Sequence, residues 1–320
     1  MTGPSIAGLA AHDLDRLLSA LEVSFVRLSE CVVSPGYGLE LGGVDAPGIH
    51  YNLRGTGTLY MGDHPPISLS PHTLIVVPRN SPFRVEARDP KSIAAPIIVD
   101  HRSQTLPLGS LRRFAVGDGE PGIVLICGYF NASYGSSTDL FASLTGPIAE
   151  QFEPDDKLDQ KLKAALDELT AQEVGAATMS ASLLKQVIVA LLRRSLTSKA
   201  LWTERFAMLS DARIARSFAA MAAYPGKAHT VESLASVACL SRSAFMARFG
   251  ELVGRPPMIV LRELRMRQAA QQLTHDDVSV EQVARAAGYA SHSSFVRAFH
   301  RAYGVDPSEY RAAAPGLGVS

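Results

Sequence analysis

The stretch AGYASHSSFVRAFHRAYGVDPSEYR, residues 287–311, decides the fold of the C-terminal part of this chain. Gly288 suits the left-handed backbone conformation that closes a helix and opens a tight turn. Ser291 is a strong N-cap residue, and Phe295, Phe299 and Tyr303 then recur at a spacing of four, which places them on one helical face. Just upstream, SVEQVARAAGY reads as a helix of about nine residues, with Ser279 as N-cap and Gln282 three positions on to complete a capping box. Val283, Ala286 and Ala287 are the expected inner face of that helix. The two helices and their glycine turn form a helix-turn-helix. His292, Ser293, Val296 and Arg297 remain on the outside of the second helix, near its N-terminal end, where a recognition helix meets base edges.

The same layout stands fifty residues earlier in HTVESLASVACLSRSAFMARFGELVGRPP. A first helix begins at Val231, a turn follows around Cys239 and Leu240, and Ser241 is the second N-cap. Phe245 and Phe249 match Phe295 and Phe299, Gly254 matches Gly304, and Pro257 matches Pro307, so the region is an internal repeat. Between the copies, PPMIVLRELRMRQAAQQL reads as one unbroken helix of about 27 Å at 1.5 Å per residue. A rod of that length can hold two recognition helices about 34 Å apart, one turn of DNA. Two copies in register, joined by such a spacer, point to double-stranded DNA.

Charge supports that division. The 320 residues carry 31 Lys+Arg and 31 Asp+Glu, but from Leu201 onward there are 14 cations against 10 anions, leaving 17 against 21 before it. Of the 14 cations, 13 are arginine. A basic module therefore follows a mildly acidic one. With 47% hydrophobic and 19% charged residues the composition is that of an ordinary globular chain long enough for two cores. Cys31, Cys127 and Cys239 are widely spaced and form no CxxC pair. Neither a disulfide framework nor a zinc site is expected, and a reducing cytoplasmic compartment is. No export signal is visible. The longest apolar run, around LLKQVIVALL, is short and contains Lys185 and Gln186, so no membrane-spanning helix is expected.

The first part of the chain has a different texture. GIHYNL, GTLYMG, HTLIVVP, AAPIIVD and GIVLICGYF are short β-prone runs separated by RGTG, GDHPP and PRNSP. Their spacing of roughly 8 to 12 residues is that of an antiparallel sandwich or barrel. From about Thr138 the apolar period lengthens to 3.6. In MSASLLKQVIVALLRRSL, Leu184, Val187, Ile188, Leu191 and Leu192 share one face, with Arg193 and Arg194 in the last turns. A further helix is expected from Lys157 to Gln172. The chain is thus expected to be α+β, with a β-sandwich or barrel over 1–137, a helical connector over 138–205, and an all-α DNA-binding domain over 206–320. No GxSxG, HExxH or P-loop is present, and the GTG at 55–57 reads as part of a hairpin turn, so the chain is not expected to be an enzyme.

Phe299, Gly304, Pro307, Tyr310 and Arg311 match the F-x4-G-x2-P-x2-Y-R signature of the AraC/XylS transcriptional regulators, and SRSAF-x3-F-x4-G-x2-P together with LRMRQAAQQL extends the match over residues 211 to 312. The chain resembles that family, which implies two helix-turn-helix units reading adjacent major grooves of an operator, and RNA polymerase as a partner. By motif position the base-facing residues would be Ser243, Met246 and Ala247 in the first unit and Ser293, Val296 and Arg297 in the second. Ser241 and Ser291 are the N-caps. Ala247 stands where the family often has arginine, and Arg248 lies one place on, as a base or a phosphate contact. Arg242, Arg255 and His292 would be phosphate contacts or solvated groups. Arg297 is the expected partner for guanine.

GIHYNLRGTGTLYMG and ISLSPHTLIVVPRNSPF resemble the two strand-turn-strand elements of a cupin, the sensory domain found in this regulator family. A metal-binding cupin clusters imidazole and carboxylate ligands. Here His50 is followed by Asn52, no glutamate follows, and the second element adds no inward histidine, so a metal-free sensor is expected. His50 is expected to be a hydrogen-bonded sheet residue. FRVEARD places Arg84 and Arg88 four apart, and YFNASYG supplies Asn131, Ser133 and Gly135. Together they resemble the two-part signature of PilZ domains, although Gly135 falls one place early. That resemblance implies cyclic di-GMP as the effector, with guanidinium groups stacking on guanine and pairing with phosphate. A sugar or an aromatic acid bound without chemistry is the alternative effector, and a cupin enzyme fused to a DNA module is a third reading. The face formed by Leu184, Val187, Ile188, Leu191 and Leu192 is the expected homodimer interface, which would make the chain a dimeric activator.

Overall fold

The computed structural model describes residues 11–88, 94–101, 112–134, 138–171, 173–197, 210–275 and 278–313. The elements in chain order are α1 (Ala11–Ala20), β1 (Glu22–Val33), β2 (Tyr37–Leu41), β3 (Gly48–Gly55), β4 (Gly57–Tyr60), β5 (Ile67–Leu69), β6 (Thr73–Val77), β7 (Phe83–Ala87), β8 (Ile97–Asp100), β9 (Arg112–Val116), β10 (Ile123–Tyr134), β11 (Thr138–Asp139) and β12 (Ile148–Gln151). A 3-10 turn at Pro154–Asp156 leads to α2 (Leu158–Ala171), α3 (Ala176–Thr197), α4 (Ala212–Ala223), α5 (Val231–Val237), α6 (Arg242–Val253), α7 (Pro257–His275), α8 (Val280–Ala286), α9 (His292–Tyr303) and α10 (Pro307–Ala313). They fall into two compact units. One comprises Glu22–Ala132 and Phe141–Phe206; the other comprises Met1–Leu21, Ser133–Leu140 and Ala207–Ser320.

The first unit is a two-sheet β structure. One sheet has the order β12-β6-β3-β10-β1-β9 and the other has the order β5-β4-β7-β2-β8, while β11 pairs with Ser133 and Tyr134 at the end of β10, all of them residues of the second unit. Their inner faces share one core, to which Cys31, Leu39, Leu59, Ile75, Phe83, Val85, Leu125 and Cys127 contribute. Each of the five expected β-prone runs carries a strand. The GTG segment, however, is not a hairpin turn. β3 pairs with β10 and β6, whereas β4 pairs with β5 and β7, so the chain changes sheets at Thr56. Gly55 makes the change possible: its φ is 83°, and a Cβ there would stand 1.9 Å from the Gly122 carbonyl oxygen.

The connector helices belong to this β unit. α3 packs on α2 and on β1. Leu184, Val187, Ile188, Leu191 and Leu192 are all at most 1% exposed within the single chain. The dimer interface expected of these five side chains is therefore withdrawn, because the chain spends them on its own fold. The helix is longer than the apolar run suggested. Ala176–Arg194 is long and apolar enough to cross a membrane by length and composition, because the helix extends beyond the LLKQVIVALL run on both sides. Its apolar face is instead core.

The second unit holds the two expected helix-turn-helix repeats. α7 is a single 19-residue helix, as the uninterrupted pattern implied. Around it, Met266, Ala269, Ala270 and Leu273 meet Val283, Ala284, Ala287, Phe295 and Phe299. Ala284, not Ala286, completes the inner face of α8, since 283, 284 and 287 share a side of the helix while 286 turns outward. Tyr303 and Tyr310 pack 4.6 and 5.3 Å from the Phe299 ring. Arg311 donates to the carbonyls of Leu273 and Val278, which accounts for the arginine that ends the signature. Two segments from earlier in the chain complete this unit. α1 packs on α4, with Asp13 3.7 Å from Arg216. Tyr134, fully buried, meets Phe218 edge-on at 5.0 Å.

Candidate nucleic-acid interface

Both candidate recognition helices are built alike. Ser241 caps α6, its Oγ accepting from the Ala244 amide at 3.3 Å, and Ser291 caps α9, accepting from the Ser294 amide at 3.4 Å. Each helix has twelve residues, buries two phenylalanines, and ends on a glycine with φ near 77°. The capping boxes of α5, from Thr230 and Ser233, and of α8, from Ser279 and Gln282, fix the preceding helices in the same way. The second turn is one residue longer than the first, and the residue in the left-handed conformation differs. Gly288 occupies the left-handed position in the second unit, whereas Cys239 takes it in the first with φ 53°.

The outward residues lie where the repeat placed them. Ser241, Arg242, Ser243, Met246 and Ala247 are exposed on or beside the first turns of α6. Ser291, His292, Ser293 and Arg297 are exposed on α9, with Val296 half-buried beside them. The serine hydroxyls of Ser241 and Ser291 are occupied as caps. Arg242 lies 3.1 Å from Glu232 with both groups well exposed, a pairing weak enough to be exchanged for a phosphate. Arg297 rests on the Ser294 hydroxyl at 3.3 Å, which keeps its fork near the N-terminal end of the helix.

Arg248 is engaged differently. Its Nε donates to Asp211 Oδ2 at 3.1 Å and its Nη1 to Glu251 Oε2 at 2.8 Å. Asp211 also caps α4 through the Arg213 amide and receives the Arg213 guanidinium. Hydrogen bonds from Arg213, and then from Arg248, hold the Asp211 carboxyl well below the usual carboxylate range, against the opposing effect of burial. Arg248 thus ties α6 to the start of α4. Sequence reasoning missed Asp211 because the partners are 37 residues apart and no local pattern links them.

A backbone contact joins the two helix-turn-helix units. A Cβ on Gly226, in the loop between α4 and α5, would lie 1.8 Å from the Ala286 carbonyl oxygen, and a Cβ on Gly288 would lie 2.5 Å from the Gly226 carbonyl oxygen. Arg265 of α7 donates to the carbonyls of Pro225 and Lys227 in the same loop, at 2.8 and 2.9 Å. The relative setting of α6 and α9 is therefore fixed by main chain as well as by the α7 rod.

The four described members of the expected nucleotide site are dispersed. Arg84 lies on β7, with its guanidinium carbon 4.9 Å over the Tyr60 ring and its Nε 2.7 Å from Glu86. That short approach lacks the angle of a hydrogen bond. Arg88 is exposed just past β7, and Asn131 is exposed on β10 in the other sheet. The Ser133 carbonyl accepts from Arg267 at 3.3 Å within the second compact unit. Gly135 lies outside the described residues. The barrel interior holds a different polar group. His50 and Asn52 both point inward, across from Cys127 and Leu125, and both are 0% exposed. Neither ring nitrogen of His50 has a hydrogen-bond partner, nor has Asn52 Oδ1, so His50 is not the hydrogen-bonded sheet residue it was expected to be. Burial, with a smaller effect of Arg27, lowers its pKa to about 3 and keeps it neutral.

Residues 13–197 match the family described as Cupin, more than half of the chain. The chain belongs to the cupin family. Residues 234–313 of this cupin protein match the family described as a helix-turn-helix domain. Over 104 residues it is 42% identical to the RCS-specific HTH-type transcriptional activator RclR of Escherichia coli, covering 32% of this chain and 37% of that protein. An uncharacterized HTH-type transcriptional regulator of Haemophilus influenzae is 24% identical over 73% of this chain and 76% of its own length. The solved DNA-binding domain of AdpA in complex with a target DNA is 36% identical over 29% of this chain and 84% of that one, with a TM-score of 0.28. The chain spans about a third of the length of RclR. These relatives are named as regulators of transcription, and the cupin protein combines a helix-turn-helix region with an N-terminal cupin.

Proposed function

We propose that the cupin protein is a sequence-specific DNA-binding regulator of transcription that reads two adjacent major grooves. One observation carries this: two equivalent helices, α6 and α9, each present an exposed, serine-capped N-terminal end, and both the α7 rod and the Gly226–Gly288 backbone contact hold them in a fixed relation. Ser243, Met246 and Ala247, and Ser293, Val296 and Arg297, are the base-reading sets, with Arg297 donating to a guanine edge. Arg242 and His292 contact phosphate. Arg248 is a positioning residue that holds α6 on α4. The test is equilibrium binding of the whole chain to duplex DNA. An Arg242→Glu/Arg297→Glu variant that melts like the wild type should lose binding, and retained binding would overturn the reading.

The cupin unit is the sensor in this reading. Buried polar groups without partners cost about 1–3 kcal/mol each, and the His50 ring nitrogens and Asn52 Oδ1 are three such atoms facing the barrel interior. A bound molecule with hydroxyl groups would supply their partners. Because His50 stays neutral, an uncharged ligand of the sugar type suits them better than an aromatic carboxylate. Cyclic di-GMP is not the effector we propose, because Arg84 and Asn131 stand on different sheets and Arg84 is already held by Tyr60 and Glu86.

A further inference from the structure

Two of the three cysteines meet inside the β unit. Cys31 lies on β1 and Cys127 on β10, neighbouring strands of the larger sheet. Both side chains belong to the core shared by the two sheets and are 0% and 3% exposed. The two thiols are within hydrogen-bonding reach of each other. Beside them the strands are tied again, where the Ser29 hydroxyl donates to the Cys127 carbonyl at 3.1 Å. Cys239 stands apart, exposed in the turn of the first helix-turn-helix unit.

The surroundings decide what can reach the pair. Phe114 is the register partner of Cys31 on β9, and His50 that of Cys127 on β3. Burial, and then the Cys31 thiol itself, pushes the Cys127 thiol well above its usual range, so it carries little thiolate. Exchange with a bulky disulfide needs both a thiolate and access, and the core denies it both. Oxidation by a small uncharged reagent remains open. In a reducing compartment the resulting bond is transient and serves sensing rather than stability.

We propose that Cys31 and Cys127 are an oxidation site, closed to a disulfide by a small uncharged oxidant of the peroxide or hypohalous acid class, and that closure alters DNA binding. The oxidant is HOX, with X a hydroxyl group or chlorine. One sulfur attacks X: the O–X bond breaks, an S–X bond forms, and the thiol proton leaves with the hydroxide as water. The second sulfur then displaces X, its proton leaves as HX, and the S–S bond forms. Two electrons pass from the thiols to the oxidant. Because the second thiol is already in contact, closure outruns further oxidation of the first. The route to the DNA-binding unit is the chain itself. β1 directly follows α1, which packs on α4, and β10 ends in Ser133 and Tyr134, which bond to Arg267 and pack on Phe218. Each thiol-bearing strand thus runs into a segment built into the second unit.

The effect on DNA rests on the DNA-binding reading, and the test separates the two. The reduced full chain is treated with hydrogen peroxide or with hypochlorous acid, then unfolded, alkylated and peptide-mapped. At least one oxidant should give a Cys31–Cys127 cross-linked peptide pair, lighter by two hydrogens and reopened by dithiothreitol, with Cys239 still alkylated. The cross-linked chain should differ from the reduced chain by about fivefold or more in affinity for a duplex that the reduced chain binds. Cys31→Ala/Cys127→Ala should bind that duplex and ignore the oxidant, while Cys239→Ala, with the core pair intact, should respond like the wild type. Absence of the cross-link with both oxidants would overturn the proposal, as would a cross-linked chain of unchanged affinity. Loss of the response in Cys239→Ala would also overturn it and assign the effect to the exposed thiol. Failure of the reduced chain to bind any duplex would instead overturn the DNA-binding reading and the effect on DNA with it, and the peptide map alone would then decide the oxidation site.

Discussion

Alanine at the glycines of the two helix-turn-helix units separates the cost of backbone conformation from the cost of lost contact between the units. Gly254 and Gly288 have nearly equal φ values, 77° and 78°. A left-handed conformation costs a non-glycine residue about 1–2 kcal/mol. At Gly254 a Cβ meets nothing within 4 Å, so that is the whole expected cost of Gly254→Ala. Gly226 has no such φ, but its Cβ would stand 1.8 Å from a carbonyl oxygen of α8. Forcing atoms into a packed site costs about 1–3 kcal/mol, and here the obstacle is backbone, which cannot rotate aside. Gly288→Ala combines both effects, for about 2–5 kcal/mol. Urea unfolding of the full chain measures the stabilities. Binding to duplexes with two half-sites at varied spacing measures the geometry. Gly226→Ala should shift or broaden the preferred spacing, while Gly254→Ala should leave it alone. If the two variants are indistinguishable in spacing preference, the backbone contact does not set the relation between the readers.

Three further outcomes are expected. Arg297→Ala should relax sequence preference at one base pair of the operator by about 1–3 kcal/mol in competition binding, and unchanged preference would remove Arg297 from the base-reading set. Below about pH 6.5 the unfolded chain protonates His50 while the folded chain, with its pKa near 3, does not, so stability falls as pH drops. Between pH 6.5 and 5 this amounts to about 2 kcal/mol, and His50→Leu should remove that part of the pH dependence in urea unfolding at the two pH values. Calorimetric titration with cyclic di-GMP should give no saturable heat, whereas saturable binding lost in Arg84→Ala/Arg88→Ala would restore the nucleotide site.

The DNA-binding half was legible because its information is local. Ser241, Ser279 and Ser291 are caps whose partners lie three residues on, and Phe245, Phe249, Phe295 and Phe299 repeat with the helical period. What local pattern could not show was the use of each surface. The apolar stripe from Leu184 to Leu192 reads the same whether it faces a second copy or its own barrel, and only burial decides. Arg248 reads as a DNA contact until Asp211, far away in sequence, is seen to hold it. The RxxxR and Asn-x-Ser spacings carried no information on sheet order, which separates Arg84 from Asn131. Strands such as β1 and β7 were not anticipated because their burial does not alternate cleanly or their runs are short and charged.

The central claim is that α6 and α9 read DNA together, and selection of bound duplexes from a random-sequence pool by the full chain tests it most directly. The expected result is enrichment of two half-sites whose centres lie one helical turn apart, about 10 to 10.5 base pairs. Enrichment of a single half-site, or of none, would contradict it.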